Sequence, residues 1–273
     1  MKTLVNRTLK KWRGIWLETK QGYRYMVCEA RQMGAKEVFK LVIADLFLGR
    51  SLFQWCYLLT LSSIPFLLEL TVADHDWLGL LASWTGIVCV ILVGEGRYSN
   101  YFFGLINSLI YLYLCLTAKG GAFYGEVATT TYFTVMQPIG LFMWLNASRH
   151  KSQEQSFVVR SLDLKGWIKN LGLTILTWLV MGFAYQSIGS NKPFRDSITD
   201  GTNVTGQLLM NEYYWEQWLF WAATNIFSIY LWWGTSIAMQ GMYWVYLLNS
   251  LFGWYTWNKE AKLAQTNQTK ESL

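Results

Sequence analysis

One stretch of the chain combines indole rings with an amide and a hydroxyl at the spacing of a helix. Residues 216–233 read EQWLFWAATNIFSIYLWW, which is apolar enough to cross a membrane. At spacings of three, four, three and four residues, one stripe of this helix carries Trp218, Trp221, Asn225, Ser228 and Trp232. An amide at membrane depth costs free energy unless it finds a partner. The stripe therefore predicts either a helix-packing hydrogen bond between interfacial tryptophans or the polar lining of a solute path.

The composition indicates that this stretch belongs to a membrane protein. Hydrophobic residues make up 53% of the 273-residue chain and charged residues only 15%, which is a sparse charge for a soluble domain. A helix needs about 20 apolar residues to cross about 30 Å of hydrocarbon. Eight segments fit, at residues 52–71, 77–94, 98–117, 122–147, 167–189, 193–211, 215–233 and 240–257.

The sixth segment is more polar than the others. Its polar residues include Asp196, Ser197, Thr199, Asp200, Thr202, Asn203, Thr205 and Gln207, so hydropathy alone favours a loop. Two observations favour a helix. The internal repeat described below needs it, and seven spans would place either the basic loop 148–166 or the basic tail on the outer side.

Lys and Arg collect on one side of the predicted membrane. Eleven of them precede the first span, and such clusters favour the cytoplasm. Eight spans then place the N-terminus, the loop 148–166 and the tail in the cytoplasm. Residues 1–50 are predicted to form a basic amphipathic arm on anionic lipid headgroups. Nucleic-acid binding is the alternative function for this basic arm, but we expect that the arm does not bind nucleic acid.

Cysteines and histidines predict neither a metal site nor a cofactor. The four cysteines show no CxxC spacing, and those within predicted spans are ordinary packing residues. His75 and His150 fall in loops on opposite sides of the predicted membrane, so they cannot share a metal ion. We also expect no catalytic residues, because no nucleophile with a base and no paired acids stand out at one depth.

The chain repeats itself on either side of the fifth span. Residues 100–107 read NYFFGLIN and residues 218–225 read WLFWAATN, and the closing helices end in GLFMW at 140–144 and GWYTW at 253–257. The fold is therefore predicted as an all-α membrane protein in which two parallel three-helix bundles are joined by a linker helix. In transporters built from such repeats, the substrate site lies near the midplane between them.

Four uncharged amides are expected to meet at this midplane: Asn107, Gln137, Asn225 and Asn249. They are joined in the predicted solute-binding set by Trp218, Trp221, Ser228 and Gln207. Tyr111 and Trp84 are added as aromatic walls, although packing would explain either residue equally well. Amides and hydroxyls recognise polar solutes, while indole faces stack on flat rings and attract cations. A planar ring joined to a sugar would suit such a lining.

Charged residues are expected near the ends of the spans. A proton relay usually needs an intramembrane carboxylate or histidine, so passive facilitated diffusion is favoured, with sodium coupling left open. Asp196 and Asp200 lie one turn apart near the outer end of the sixth span. They are predicted to steer a cationic solute into the outer mouth; a solvated helix start is the alternative.

Three motifs resemble those of the PnuC transporters of bacterial inner membranes. They are NYFFGLIN at 100–107, EQWLFWAATNIFS at 216–228 and LNSLFGWYTW at 248–257, and the resemblance extends from about residue 80 to 258. It implies a SWEET-like 3+1+3 fold preceded by one extra N-terminal helix. The motifs match at Trp218, Trp221, Asn225, Ser228, Asn100 and Asn107. The chain departs from the family pattern near Gln137, where the family often has Asn.

The resemblance implies uniport of nicotinamide riboside across the inner membrane. A cytoplasmic ribosylnicotinamide kinase would trap the solute by phosphorylation and so feed NAD biosynthesis from vitamin B3. Relatives carry thiamine or other vitamins, so a related vitamin or an ion-coupled symport stays open. The family is described as oligomeric, which implies a homo-oligomer such as a trimer. A purely structural protein is the remaining alternative, but it would not need matching amides in both repeats.

The predicted organisation of the chain has six parts. They are the arm 1–50, the extra transmembrane helix 51–76, the first bundle 77–147, the cytoplasmic loop and linker helix 148–192, the second bundle 193–257 and the cytoplasmic tail 258–273.

Overall fold

A computed structural model describes residues 2–71, 76–117, 124–149, 159–190, 193–231 and 237–271. These residues are almost entirely helical. The helices are α1 (Lys2–Met33), α2 (Ala35–Phe47), α3 (Leu52–Glu69), α4 (Trp77–Gly94), α5 (Asn100–Leu116), α6 (Tyr124–Arg149), α7 (Leu164–Ser187), α8 (Pro193–Asp196), α9 (Ile198–Asn211), α10 (Gln217–Leu231) and α11 (Ile237–Glu271).

Side-chain caps fix where several of these helices begin. Ser51 and Gln54 form a reciprocal capping box at the start of α3. Asp76 accepts a hydrogen bond from the Gly79 N–H at the start of α4, and Asp163 does the same with Gly166 at the start of α7. Each cap satisfies a backbone donor that the first helical turn leaves without a partner.

Three described helices are long and apolar enough to cross a membrane: α3, α4 and α7. A shorter apolar helix, α5, follows α4. Much of the α7 surface is exposed and apolar, including Ile168, Leu171, Ile175 and Phe183. Exposed apolar side chains of this kind fit a hydrocarbon environment.

The contacts group the spans as two sets of three. Helix α5 packs against α4 and α6, and α10 packs against α9 and α11. The two sets meet where α4 contacts α11 and where α6 contacts α9. Helix α7 packs against α8 and α9, while α3 packs against α4 and α11. The six helices of the two sets therefore enclose a space between them, beside which α3 also packs.

The polar sixth segment is helical, but it is divided into two pieces. A single turn, α8, ends at Asp196, and the 14-residue α9 starts at Ile198. The segment is polar because helices surround it: Thr199, Asn203, Thr205 and Gln207 are all buried on α9. Polar side chains at membrane depth are tolerated when they face protein or a cavity rather than lipid.

Both ends of the chain form more helix than the span boundaries predict. Helix α11 continues to Glu271, well beyond the end of the predicted eighth span. The arm consists of α1 and α2, which are separated at Gly34. Gly34 has a φ of 78°, a left-handed conformation that glycine adopts without a steric cost.

Helix α1 of the arm packs against the rest of the protein along one face, and many of its other described residues are exposed. Ile15 and Thr19 of α1 are buried, and the Tyr23 ring meets Phe142 of α6 edge-on with centroids 5.5 Å apart. Burial and the neighbouring Glu212 carboxylate raise the pKa of the Glu18 carboxyl, an effect that Arg160 opposes. One face of α1 is thus fixed against the bundle.

A leucine at Gly22 is expected to detach this arm. A Cβ at Gly22 would overlap the carbonyl oxygen of Phe142, which is backbone and cannot move aside. Overpacking costs about 1–3 kcal/mol, so trypsin should cleave the arm about tenfold faster in the purified protein. Gly14→Leu is the matched control, because a Cβ at Gly14 meets nothing within 4 Å. Equal cleavage of the two variants would contradict this docking.

Candidate functional site

A cavity of about 470 Å³ lies between the two sets of helices. Its wall is contributed by α3, α4, α5, α6, α9, α10 and α11. The volume is within the range of about 300–1,000 Å³ that small-molecule sites occupy. We call the end near Glu69, Asp76 and Glu126 the acidic end, and the end near Trp144, Trp218 and Trp257 the aromatic end.

The stripe on α10 faces this cavity. Trp218, Trp221, Asn225 and Ser228 are all lining residues. Asn225 is buried and its amide nitrogen donates to the Ser250 hydroxyl on α11 at 3.1 Å. The fifth member of the predicted stripe, Trp232, lies outside the described residues.

The two tryptophans occupy different environments. Trp218 is 2% exposed, and its ring meets the Trp257 ring edge-on with centroids 5.9 Å apart. Trp221 is half-buried, lies beside Phe133 with centroids 5.9 Å apart, and donates to the Gln217 side chain at 3.4 Å. Trp221 therefore presents ring surface to the cavity, while Trp218 forms the cavity floor.

The other predicted amides that line the cavity come from both sets of helices. Asn107 donates to the Ala82 carbonyl on α4 at 2.7 Å, and Gln207 donates to Asn211 at 2.9 Å. Gln137 is 7% exposed, and its Oε1 atom has no hydrogen-bond partner in the described part of the chain. Tyr111 also lines the cavity.

Two members of the predicted set lie outside the lining. Trp84 is turned away from the α4 face that lines the cavity, and it packs edge-on against Phe103 with centroids 6.0 Å apart. Asn249 donates to the Val90 carbonyl at 2.9 Å and accepts from the Tyr57 hydroxyl at 3.3 Å. Its amide therefore joins α11 to α3 and α4 instead of facing the solute space.

The position of Asp200 does not agree with its predicted role, which was to attract a cationic solute to the outer entrance. Asp200 is 4% exposed and accepts hydrogen bonds from the Thr129 hydroxyl and, at 2.8 Å, from the Tyr185 hydroxyl. This carboxylate fastens α9 to α6 and α7 because it faces inward. The side chain of Asp196 lies outside the described residues.

The acidic end contains a lining residue that was not among the predicted solute-binding residues. Glu126 lines the cavity from the first turn of α6. Tyr243 and Tyr246 of α11 also line it. Helical spacing alone could have found these tyrosines, since they share a face of α11 with Ser250.

Aromatic side chains from both repeats pack together at the aromatic end. The Trp144 ring stacks on Tyr213 at 4.6 Å, and the Trp144 indole donates to the Met210 carbonyl at 3.2 Å. Trp257 donates to the Gly94 carbonyl at 3.1 Å. Trp144 and Trp257, the last residues of the two repeated closing motifs, lie 6.4 Å apart between ring centroids.

Glycines make room for two of the lining side chains. A Cβ at Gly253 would overlap the Trp218 ring, and a Cβ at Gly86 would overlap the Tyr246 hydroxyl and crowd the Asn107 amide. The absence of a side chain at these positions lets the indole and the amide sit at their present depth.

Comparison with known proteins identifies the family. A family model described as "Nicotinamide mononucleotide transporter" matches residues 76–259. The nicotinamide riboside transporter PnuC of Haemophilus influenzae is 40% identical over 188 residues, which are 68% of this chain and 81% of that relative. The chain belongs to the PnuC family.

Other PnuC proteins extend the match. The nicotinamide riboside transporter PnuC of Neisseria mucosa is 32% identical over 228 residues, covering 80% of this chain and 85% of that relative. A crystal structure of the vitamin B3 transporter PnuC has a TM-score of 0.69 and 31% identity, covering 80% of this chain and 95% of the other.

Membership of the PnuC family has three consequences. The resemblance seen in the sequence motifs is confirmed, and the chain is a membrane-embedded transporter. The family consists of transporters, so the expectation that the chain is not an enzyme is confirmed as well. The almost entirely helical structure agrees with the predicted class of fold.

Proposed function

We propose that this protein carries nicotinamide riboside across the bacterial inner membrane by facilitated diffusion. The main support is that the cavity wall combines a half-buried indole ring with two buried polar atoms. One of these atoms is a hydrogen-bond acceptor and the other a donor, and neither has a protein partner among the described residues. These groups are the Trp221 ring, Gln137 Oε1 and Trp218 Nε1. A buried polar atom without a partner is costly, and hydrogen bonds to ribose hydroxyls and a carboxamide would satisfy such atoms.

The charges of the lining favour the riboside over its mononucleotide. Among the described residues that line the cavity are three carboxylates, Glu69, Asp76 and Glu126, and none of these described residues is Lys or Arg. Proteins bind phosphate groups with Arg, Lys or helix N-termini. A cavity with acidic walls would repel a phosphate and attract a pyridinium ring.

The proposed architecture is the SWEET-like arrangement of two parallel three-helix bundles, α4 to α6 and α9 to α11. Support comes from the contacts within each set and from the meeting of Trp144 with Trp257. Equivalent residues of two repeats approach each other where a pseudo-twofold axis passes between them. Helix α7 would serve as the linker, and α3 would be the extra helix.

In this proposal the acidic end faces the periplasm and the aromatic end faces the cytoplasm. The support is the excess of Lys and Arg in the N-terminal arm, which favours a cytoplasmic N-terminus. Helix α4 begins at the acidic end with Trp77 and finishes at the aromatic end with Gly94. The stacked rings at the aromatic end would have to separate for the solute to leave.

The proposal includes trapping of the riboside by a cytoplasmic ribosylnicotinamide kinase and assembly as a homo-oligomer. The exposed apolar surface of α7, with Leu176, Leu179 and Val180, could be covered by lipid or by a second copy. Trapping would keep the internal concentration low, so passive transport could continue without ion coupling.

A substrate panel tests the proposal. Purified protein in liposomes is given nicotinamide riboside, nicotinamide mononucleotide or thiamine, and initial uptake is measured. We expect riboside uptake to exceed that of the mononucleotide at least about 100-fold, because an unpaired buried charge costs about 3 kcal/mol or more. Faster uptake of thiamine or of the mononucleotide would overturn the assignment.

The mode of transport is tested in the same liposomes with and without a proton or sodium gradient. Because the riboside is a cation, the membrane potential is held at zero with valinomycin and equal potassium on both sides. Riboside should then enter until its internal and external concentrations are equal, and neither gradient should change that final level. Accumulation above the external concentration at zero potential would contradict facilitated diffusion and indicate ion coupling. This experiment matters because Glu126, an ionisable carboxyl group, lines the cavity.

A further inference from the structure

We infer that Glu126 is the residue through which the cavity selects cationic solutes. The inference rests on the proposed function and adds a specificity-determining residue to it. It replaces Asp200, whose carboxylate is bound by hydroxyls of neighbouring helices, with a carboxylate that faces the solute space.

Glu126 faces the same space as the stripe on α10. Tyr111 of α5, Tyr243 of α11 and Ser228 of α10 line the cavity together with Glu126. A solute held by the stripe would therefore meet the Glu126 carboxylate in the same cavity.

The other two lining carboxylates have structural contacts at the rim. Glu69 accepts a hydrogen bond from the Asp76 N–H at 2.7 Å, and Asp76 accepts from the Gly79 N–H at 3.0 Å. These bonds join the end of α3 to the start of α4. Glu126 differs because it lines the cavity from α6, the helix that also carries Gln137, and not from the junction of α3 and α4.

A carboxylate in this position discriminates by charge. The cavity is bounded by apolar and aromatic surface, where an electrostatic interaction is screened less than in water. Aromatic rings around a cation add to the attraction, and Tyr111, Phe133 and Trp221 supply such rings. A neutral ring of the same shape keeps the stacking and the hydrogen bonds but gains nothing from the carboxylate.

The test uses nicotinamide riboside and its 1,4-dihydro form, which keeps the ribose and the carboxamide but has no ring charge. In liposomes, the intact protein should take up the cation with a KM at least about tenfold lower than that of the neutral form, which corresponds to about 1.4 kcal/mol. Glu126→Gln should raise the KM of the cation about tenfold and leave that of the neutral form within about twofold.

Two further variants show whether cation selection belongs to Glu126 alone or to any carboxylate of the cavity, and whether a loss of transport is caused by misfolding. Glu69→Gln removes a rim carboxylate that also lines the cavity, and its KM ratio of neutral to cationic solute should fall by about threefold at most, less than in Glu126→Gln, because solvent screens a charge at the rim. If Glu126→Gln carries neither solute, Glu126→Asp decides: a retained preference for the cation supports the inference, and a lost preference overturns it.

Three other outcomes also overturn the inference. The first is a Glu126→Gln protein that still prefers the cation as strongly as the unmodified protein does. The second is an equal loss of preference in Glu69→Gln, which would assign selection to the rim. The third is an unmodified protein that carries neither form, and this outcome alone also defeats the proposed function.

Discussion

Asn225→Ala is expected to lower nicotinamide riboside uptake about 5- to 100-fold, because a solute hydroxyl or carboxamide left without its buried partner costs about 1–3 kcal/mol. Asn225 lines the cavity and is positioned by its hydrogen bond to Ser250. The loss should appear in initial uptake by liposomes at low riboside concentration. Thermal unfolding of the purified variant should show a cooperative transition.

The control for this variant is another buried asparagine. Asn170 of α7 is 7% exposed and donates to the Gly166 carbonyl at 2.9 Å, and it does not line the cavity. Asn170→Ala should lose a comparable amount of stability and keep its uptake within about twofold. If both variants transport at the unmodified rate, Asn225 is a packing residue and its proposed contact with the solute is wrong.

Trp221→Ala is the second change with a large expected effect. Stacking of a flat ring on an aromatic side chain contributes about 1–3 kcal/mol, so the Kd for riboside should rise about 5- to 100-fold. Binding to the purified protein, measured by calorimetry, reports this loss without contributions from later transport steps. Trp218→Ala is a less specific test, because the Trp218 ring packs against Trp257 and Gly253 inside the protein.

Two further variants show whether the ring itself is responsible. Trp221→Phe keeps an aromatic face and should recover most of the affinity. Trp244→Ala removes an indole that is 49% exposed on the outer surface of α11, and it should bind riboside as the unmodified protein does. Unchanged affinity in Trp221→Ala would exclude stacking at this residue.

The helical architecture was accessible from the sequence because hydropathy and helix length are local properties. Six of the predicted spans agree with single helices to within a few residues at each end, for example α4 at Trp77–Gly94 and α7 at Leu164–Ser187. Even α9, which hydropathy alone would call a loop, followed from the repeat and the charge pattern. Its polar side chains are buried because other helices surround it.

Side-chain direction was harder to predict, because a difference of one residue rotates a side chain by about 100° around a helix. Asn249 and Ser250 are neighbours, yet Asn249 bonds to α3 and α4 while Ser250 lines the cavity. The same offset separates Trp84 from the lining residue Ser83. Counting residues along the helix from a known lining residue would have predicted the direction of these side chains better than their depth in the membrane did.

The acidic residues show a second reason why the predicted site differs from the observed cavity lining. Asp200 and Glu126 both lie near the outer ends of predicted spans, so distance along the chain could not separate their roles. The contacts do so: Asp200 is bound by Thr129 and Tyr185, and Glu126 faces the cavity. Which carboxylate is exposed to a solute depends on packing between helices that are far apart in the sequence.

The proposed function requires nicotinamide riboside to bind in the cavity between the two sets of helices. An experimental structure of the purified protein in the presence of the riboside tests this requirement. We expect density for the solute in this cavity, with the pyridinium ring against Trp221, the ribose or carboxamide within hydrogen-bonding distance of Asn225 or Gln137, and the ring charge toward Glu126. An empty cavity at saturating riboside, or density at another site, would contradict it.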